Sequence, residues 1–444
     1  MSNYVEINTK INSFKKQIFV PEDKSLSIRC ALMASQAIGK SKLKLLNSDD
    51  LISTLHCLRI LGIKIVRQND FYHIEGRGIN GFKFKKNLVL NCGNSGTLLR
   101  LLPSLLVRSP YKIKFIGDKS LSKRNFRVAD PLNQFGAQFS KNKTPPIYMK
   151  GTNYIRPISW KEIKGSAQIK SSVLIAGALH SPGITKIIAK PSRRTTENLF
   201  KHVLKIPIKI TKSKNRDHIE VKKTEQFKSF NYNVPGDMSS AAYPLVLTLL
   251  STKSQLMIKN VNVCPTRIGI ITILRKMGAN KKYIRFKNKR FIKGEKVADI
   301  FVKSCDCLKG IRVPIKLNSF AIDEMLLLFL CSAKSKNCSY YSSISELNAK
   351  ESPRLKIASK ILNLMGVKNI STNNSIKIFG NPKLNLENKK IEIKNYMKDH
   401  RIFMMSVVAA NIFSGLWKIH DKDSIKTSFP NFLNLMKNLG AKIS

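Results

Sequence analysis

Acidic residues are scarce in this chain. Twenty-seven Asp and Glu face 79 Lys and Arg, for a formal charge of +52. Such an excess raises nucleic-acid binding as a first reading. The lysines, however, run through the whole sequence with no basic tail or dense block, and Asn and Ile are abundant beside them. That pattern fits drift in composition better than a binding face. Cysteine is sparse as well. No two of the 8 cysteines form a CxxC pair, and Cys305 and Cys307 stand too close for a usual zinc knuckle. Reduced thiols, as in a cytosol, are the expectation. Long apolar runs are missing: "MLLLFLC" at 325–331 is far too short to span a bilayer. The first residues, "MSNYVEINTKINSFKKQ", contain no apolar signal core. A cytoplasmic protein that spans no membrane is expected. No long Ser/Gly-rich or Pro-rich stretch marks a flexible tether.

What is present begins with length. A chain of 444 residues, 43% hydrophobic, is too long for one simple core, and two domains are expected. A motif also recurs: a polar start, an amphipathic helix, a turn and a β-branched strand. Copies begin at 49 ("DDLISTLHCLRILGIKI"), 124, 193, 265, 352 and 425, with turns at Gly62, Gly136, Pro207, Gly278, Gly366 and Gly440. Apolar residues at i, i+3, i+4 and i+7 predict a helix with one buried face. Glycine just past it is a helix-stop signal. The alternation that follows predicts a strand and a hairpin. Six copies, roughly 70 to 90 residues apart, are the mark of a repeat architecture. They predict an α/β (α+β repeat) fold of two pseudo-symmetric domains, three units in each.

Among candidate sites, "GNSGTLLR" (93–100) places glycine, small polar side chains and Arg100 at one turn. Glycine lets backbone N–H groups approach an anion, and a helix N-terminus favours one. An ordinary strand-to-helix turn with a Ser cap is the competing reading. "DKSLSIR" (23–29) offers Lys24, Ser25 and Arg29, gathered on one side by a helical turn. "GSAQIK" (165–170) offers Ser166 and Gln168 as polar donors, with a helix cap at Ser166 as the plainer alternative.

These stretches, with "NSDD" (47–50), "VPGDMSSAAYPL" (234–245), "DEMLLL" (323–328), "AKESPRL" (349–355), "DHR" (399–401) and "KTSFP" (426–430), occur in one order along the whole chain. In that order the chain resembles the 5-enolpyruvylshikimate-3-phosphate (EPSP) synthase family of enolpyruvyl transferases. The resemblance implies two domains of three βαβαββ-like units, of the inside-out α/β barrel type. The expected bounds are 20–240 for one domain and 1–19 plus 241–444 for the other. The implied reaction moves the enolpyruvyl group of phosphoenolpyruvate to the 5-hydroxyl of shikimate 3-phosphate by addition and elimination, releasing phosphate. No metal or organic cofactor is implied. The partners are the two small substrates, with no nucleic acid or membrane, and a monomer is expected.

The resemblance also implies roles. Lys24 touches both substrates and is a candidate to protonate the departing phosphate. Ser25, Arg29, Ser166, Ala167, Gln168, Arg193 and Lys350 hold shikimate 3-phosphate, with Ser192 beside Arg193. Gly96, Arg124, Gln168, Arg354, Arg401 and Lys426 hold phosphoenolpyruvate, and Arg127 competes with Arg124. Asn94 and Thr97 fix the Gly96 turn; Arg100 is either a ligand or a structural arginine. Asp323 accepts the 5-hydroxyl proton, with Glu324 as a supporting or capping group. Glu351 manages the methylene–methyl proton transfer. His400 is read as structural or orienting. Lys170 completes an S-A-Q-x-K form seen in one branch. The chain departs from the family pattern at Arg194, Thr195, Asn348, Ala349 and Pro353; proline is tolerated at the first turn of a helix.

The nearest competitor is UDP-N-acetylglucosamine enolpyruvyltransferase, which shares the architecture but carries a cysteine on the loop matching 117–127. This chain reads "GDKSLSKRNFR" there, and no cysteine lies between Cys92 and Cys264. An RNA-binding or RNA-cyclase-like protein with a related repeat would suit the charge, but accounts for neither "SAQIK" nor the Glu351–Arg354 motif.

Overall fold

A computed structural model describes residues 3–163, 165–213 and 215–444. The chain divides into two compact units: Glu22–Val234 with Ile292–Glu295, and Met1–Pro21 with Pro235–Phe291 and Lys296–Ser444. Two crossings fall at 21/22 and 234/235, near the expected 19/20 and 240/241, and the short segment Ile292–Glu295 adds two more. Residue 240 lies inside the helix Met238–Leu250, which is buried along its length and packs wholly in one core. Each unit has its own hydrophobic core.

The Glu22–Val234 unit holds three four-stranded sheets of one pattern. In each, a parallel pair is followed by an antiparallel hairpin. Strand Ile38–Lys44 pairs in parallel with Tyr232–Asn233 and antiparallel with Phe71–Arg77, which returns to Lys64–Gln68. Strands Ile113–Ile116 and Thr185–Ala189 hold the same central place in the second and third sheets. The other unit also has three sheets. In the last of these, Leu416–His420 pairs in parallel with Lys390–Ile393 and antiparallel with Tyr4–Ile7.

The repeat turns explain themselves. Gly62, Gly136, Gly278, Gly366 and Gly440 all have positive φ, between 76° and 111°. That backbone is costly for any residue with a Cβ. The third copy differs. Lys205, not Pro207, ends the helix in the left-handed conformation at φ 56°, after a π-helical stretch Leu199–Leu204. The sixth copy differs too. The segment after Gly440 is not an assigned strand. Instead the Glu6 and Ser444 backbones exchange two hydrogen bonds, 3.0 and 3.1 Å long, so the start of the chain fills the place of a hairpin strand.

Candidate active site

Many of the residues singled out in the sequence stand in the first turn of a helix. In the Glu22–Val234 unit, Lys24 opens the helix Lys24–Ala34, capped by Asp23. Gly96 opens Gly96–Leu105, capped by Ser95. Ala167 opens Ala167–His180, capped by Ser166, so the plainer reading of Ser166 as a cap holds. The first turns of these three helices contain no acidic residue. A cation such as Lys24 opposes the positive end of the helix dipole. A bound anion would reverse that penalty.

Around Gly96 the contacts are close. Arg100 donates to the Gln168 side-chain oxygen at 2.6 Å, to the Asn125 carbonyl at 3.0 Å and to the Gly96 carbonyl at 3.3 Å. Gln168 donates in turn to the Thr97 hydroxyl at 3.0 Å. Arg100 thus ties the two helix starts together. Arg124 is buried and donates to the Asn94 side chain at 2.6 Å, the Asn94 carbonyl at 3.1 Å and Ser120 at 2.8 Å. Asn94 also donates to Asp118 at 2.6 Å. A Cβ added at Gly96 would lie 3.0 Å from the Arg100 guanidinium and 3.5 Å from that of Arg124. The glycine keeps that space open. Arg127 is half-buried on a left-handed backbone, φ 60°.

Lys24 pairs with buried Asp50 at 3.0 Å. Arg29 is buried and donates to Thr196 at 2.8 Å, Ser171 at 2.9 Å, and the Ser25 hydroxyl and carbonyl at 2.6 and 2.9 Å. It joins three helices. Lys170 and Glu197 form a fully buried pair at 2.6 Å. Arg193 is half-buried and Ser192 buried. The substituted Arg194 pairs with Asp217 at 2.6 Å, and Thr195 begins a short helix.

In the other unit, the centre is Asp399. It caps the helix His400–Phe413 by accepting the Arg401 N–H at 2.9 Å. It also takes two bonds from the Arg354 guanidinium, at 2.8 and 3.1 Å, and one from Ser352 at 2.9 Å. Arg354 then reaches Glu351 at 3.4 Å and Asp323 at 3.8 Å. His400 Nδ1 meets Glu351 at 2.7 Å, and Lys350 stands 3.7 Å from Asp323. Arg401 donates to the Asp323 backbone carbonyl at 2.8 Å. Burial opposes the Arg354 charge, but the Asp399 and Glu351 carboxylates outweigh it and hold its pKa above the ordinary value. Arg401 is likewise raised against its burial, chiefly by Asp323. Glu324 is buried and accepts from the Ser239 hydroxyl; Asp237, which caps Met238–Leu250, pairs with Arg267. Lys426 is more exposed and pairs with Asp423 at 2.8 Å.

Glu351, Asp399 and His400 have ligand atoms close enough to hold a metal ion. The cation on both carboxylates is the Arg354 guanidinium. Asp399 as organiser was not singled out in the sequence. Its signal was there, an Asp directly before a helical apolar run. Asp50, partner of Lys24, likewise sits in the first turn of the helix Asp49–Ile60.

Two units of three sheets, with cations at helix starts, define the enolpyruvyl transferase fold. The enolpyruvyl transferase NikO from Streptomyces tendae superposes with a TM-score of 0.75 at 12% identity, over 99% of this chain and 98% of that one. A family model described as EPSP synthase (3-phosphoshikimate 1-carboxyvinyltransferase) matches residues 8–436, and the chain belongs to that family. The EPSP synthase of Acinetobacter baumannii superposes with a TM-score of 0.84 at 32% identity, over 99% of both chains. The 3-phosphoshikimate 1-carboxyvinyltransferase of Ruthia magnifica is 37% identical, over 100% of this chain and 99% of that protein. That of Zymomonas mobilis is 34% identical, over 98% and 96%. No helix among the described residues is long and apolar enough to cross a membrane.

Proposed function

We propose that this chain carries its family's reaction: transfer of the enolpyruvyl group of phosphoenolpyruvate to the 5-hydroxyl of shikimate 3-phosphate, with release of phosphate, in the shikimate route to aromatic amino acids. Asp323 takes the proton of the 5-hydroxyl as its oxygen adds to C2 of phosphoenolpyruvate. Glu351 delivers a proton to C3, giving a tetrahedral adduct. Loss of phosphate, protonated by Lys24, and return of a C3 proton to Glu351 leave the enol ether. Arg124, Arg354, Arg401 and Lys426, with the Gly96 turn and Gln168, hold phosphoenolpyruvate. Ser25, Ser166, Ala167, Arg193 and Lys350 hold shikimate 3-phosphate. Arg29 serves that site chiefly by fixing Ser25 and the helix that Gln168 belongs to.

The observation that carries this reading is that one guanidinium, Arg354, lies beside both Asp323 and Glu351, so acid and base share one cation. The chain is read as a cytoplasmic monomer, which sedimentation of the purified protein would test. Phosphate release is the direct test of the reaction. It should require shikimate 3-phosphate and phosphoenolpyruvate together. Release from phosphoenolpyruvate alone at the same rate would overturn the assignment.

A further inference from the structure

Cys305 and Cys307 lie outside the site just described. In an extended chain, residues i and i+2 share a face but stand roughly 6–7 Å apart. Here a bend at Asp306 brings the two Sγ atoms to 3.3 Å. The bend is held on both sides. Ser304 and Cys305 donate their N–H groups to Ser254 at 3.0 Å and Leu249 at 2.8 Å, and Lys309 donates to Met277 at 2.8 Å. The two thiols differ. Cys305 is buried and Cys307 half-buried. Burial pushes the Cys305 thiol up to about 12, so it stays protonated and is a poor first nucleophile. The Cys307 thiol also lies 4.0 Å from the Gly278 carbonyl.

We propose that Cys305 and Cys307 form a redox-responsive dithiol that a hydroperoxide converts to an intramolecular disulfide. The Cys307 sulfur attacks one peroxide oxygen. The O–O bond breaks, the other oxygen takes the thiol proton and leaves as water or an alcohol, and Cys307 becomes a sulfenic acid. The Cys305 sulfur then attacks the Cys307 sulfur. Its proton and the sulfenic hydroxyl leave as water, and the S–S bond forms. Two thiols lose two electrons and one O–O bond gains them. The first contact already sets the sulfurs close, and closing to a bond of ~2.05 Å needs about 1.3 Å of movement.

The test uses the full chain, reduced and then treated with hydrogen peroxide, quenched with N-ethylmaleimide in denaturant and mapped by peptide mass. The expected result is loss of alkylation at both Cys305 and Cys307, with their peptide two hydrogens lighter and restored by dithiothreitol. The exposed Cys338 should still be alkylated at that dose. C305S should leave a sulfenic acid at Cys307 that dimedone traps, and C307S should leave Cys305 alkylated. Wild-type protein in which Cys305 and Cys307 stay alkylated while Cys338 oxidises would overturn the proposal. So would direct passage of Cys307 to a sulfinic acid.

Discussion

Glu351 is held from two sides, by Arg354 at 3.4 Å and His400 at 2.7 Å, and it is this fixed carboxylate that the proposed chemistry uses to move a proton. Glu351→Gln keeps the shape and removes the titrating group. Turnover should fall roughly 10²- to 10⁴-fold with little change in substrate binding. Steady-state kinetics with calorimetric binding would check this, and a Gln variant with near-normal turnover would remove Glu351 from the proton path. The cations divide differently. Arg124→Ala and Arg401→Ala should raise the apparent constant for phosphoenolpyruvate more than that for shikimate 3-phosphate. Lys24→Met should damage both. Equal effects of all three on one substrate would contradict the shared role given to Lys24. His180 is a residue-scale liability of another kind. Burial, then the Arg108 charge, pulls its pKa from 6.5 down to about 3. The folded state thus holds it neutral while the unfolded chain protonates near 6.5. Its neutral form is fully compatible with folding above pH 6.5, and stability is lost as pH falls from there toward 3. The slope is at most roughly 1.4 kcal/mol per pH unit from this one group. His180→Phe should flatten that part of the acid limb in urea unfolding; an unchanged limb would show that other groups set it.

At the scale of elements, many of the candidate residues in each unit stand at helix N-termini, begun by side chains the sequence makes visible. Asp399 both caps the helix His400–Phe413 and holds Arg354 through two bonds in a fully buried place. Removing it loses a cap, worth about 1 kcal/mol, and takes from a buried guanidinium the nearest of its three carboxylates. Asp399→Ala should therefore cost roughly 3–5 kcal/mol in chemical denaturation. A loss near the cap value alone would mean that Arg354 finds another partner. The helix starts were legible because capping residues and apolar periodicity are local. Five of the six repeat turns were legible for the same reason, since only glycine fits their backbone cheaply. The third turn was misplaced because Lys205 adopts the left-handed conformation that its side chain disfavours, and Pro207 drew attention instead. The sixth strand was misread because its partner, Glu6, lies at the other end of the chain. Likewise the Arg354–Asp399 pair joins residues 45 apart, and no local pattern reports such a contact. Family resemblance supplied the roles of Asp323, Glu351 and Lys24; spacing alone did not.

The whole molecule carries a charge of +52, and both proposed substrates are polyanions. A field of that sign raises the local concentration of small anions, and salt screens it with a Debye length of about 8–10 Å at 0.1–0.15 M. Raising ionic strength should lower kcat/KM more steeply than kcat. A flat salt profile would separate the charge from substrate capture and leave it a property of composition. The chemistry itself is tested most directly by running the reaction in D2O and reading the product by proton NMR and mass spectrometry. Addition puts one solvent-derived hydrogen on C3, and elimination removes one hydrogen from the resulting methyl group. The predicted product therefore carries deuterium in its vinyl methylene, forms only when both substrates are present, and forms roughly 10²- to 10⁴-fold more slowly in Glu351→Gln. Phosphate release with a product free of deuterium would contradict the C3 proton transfer.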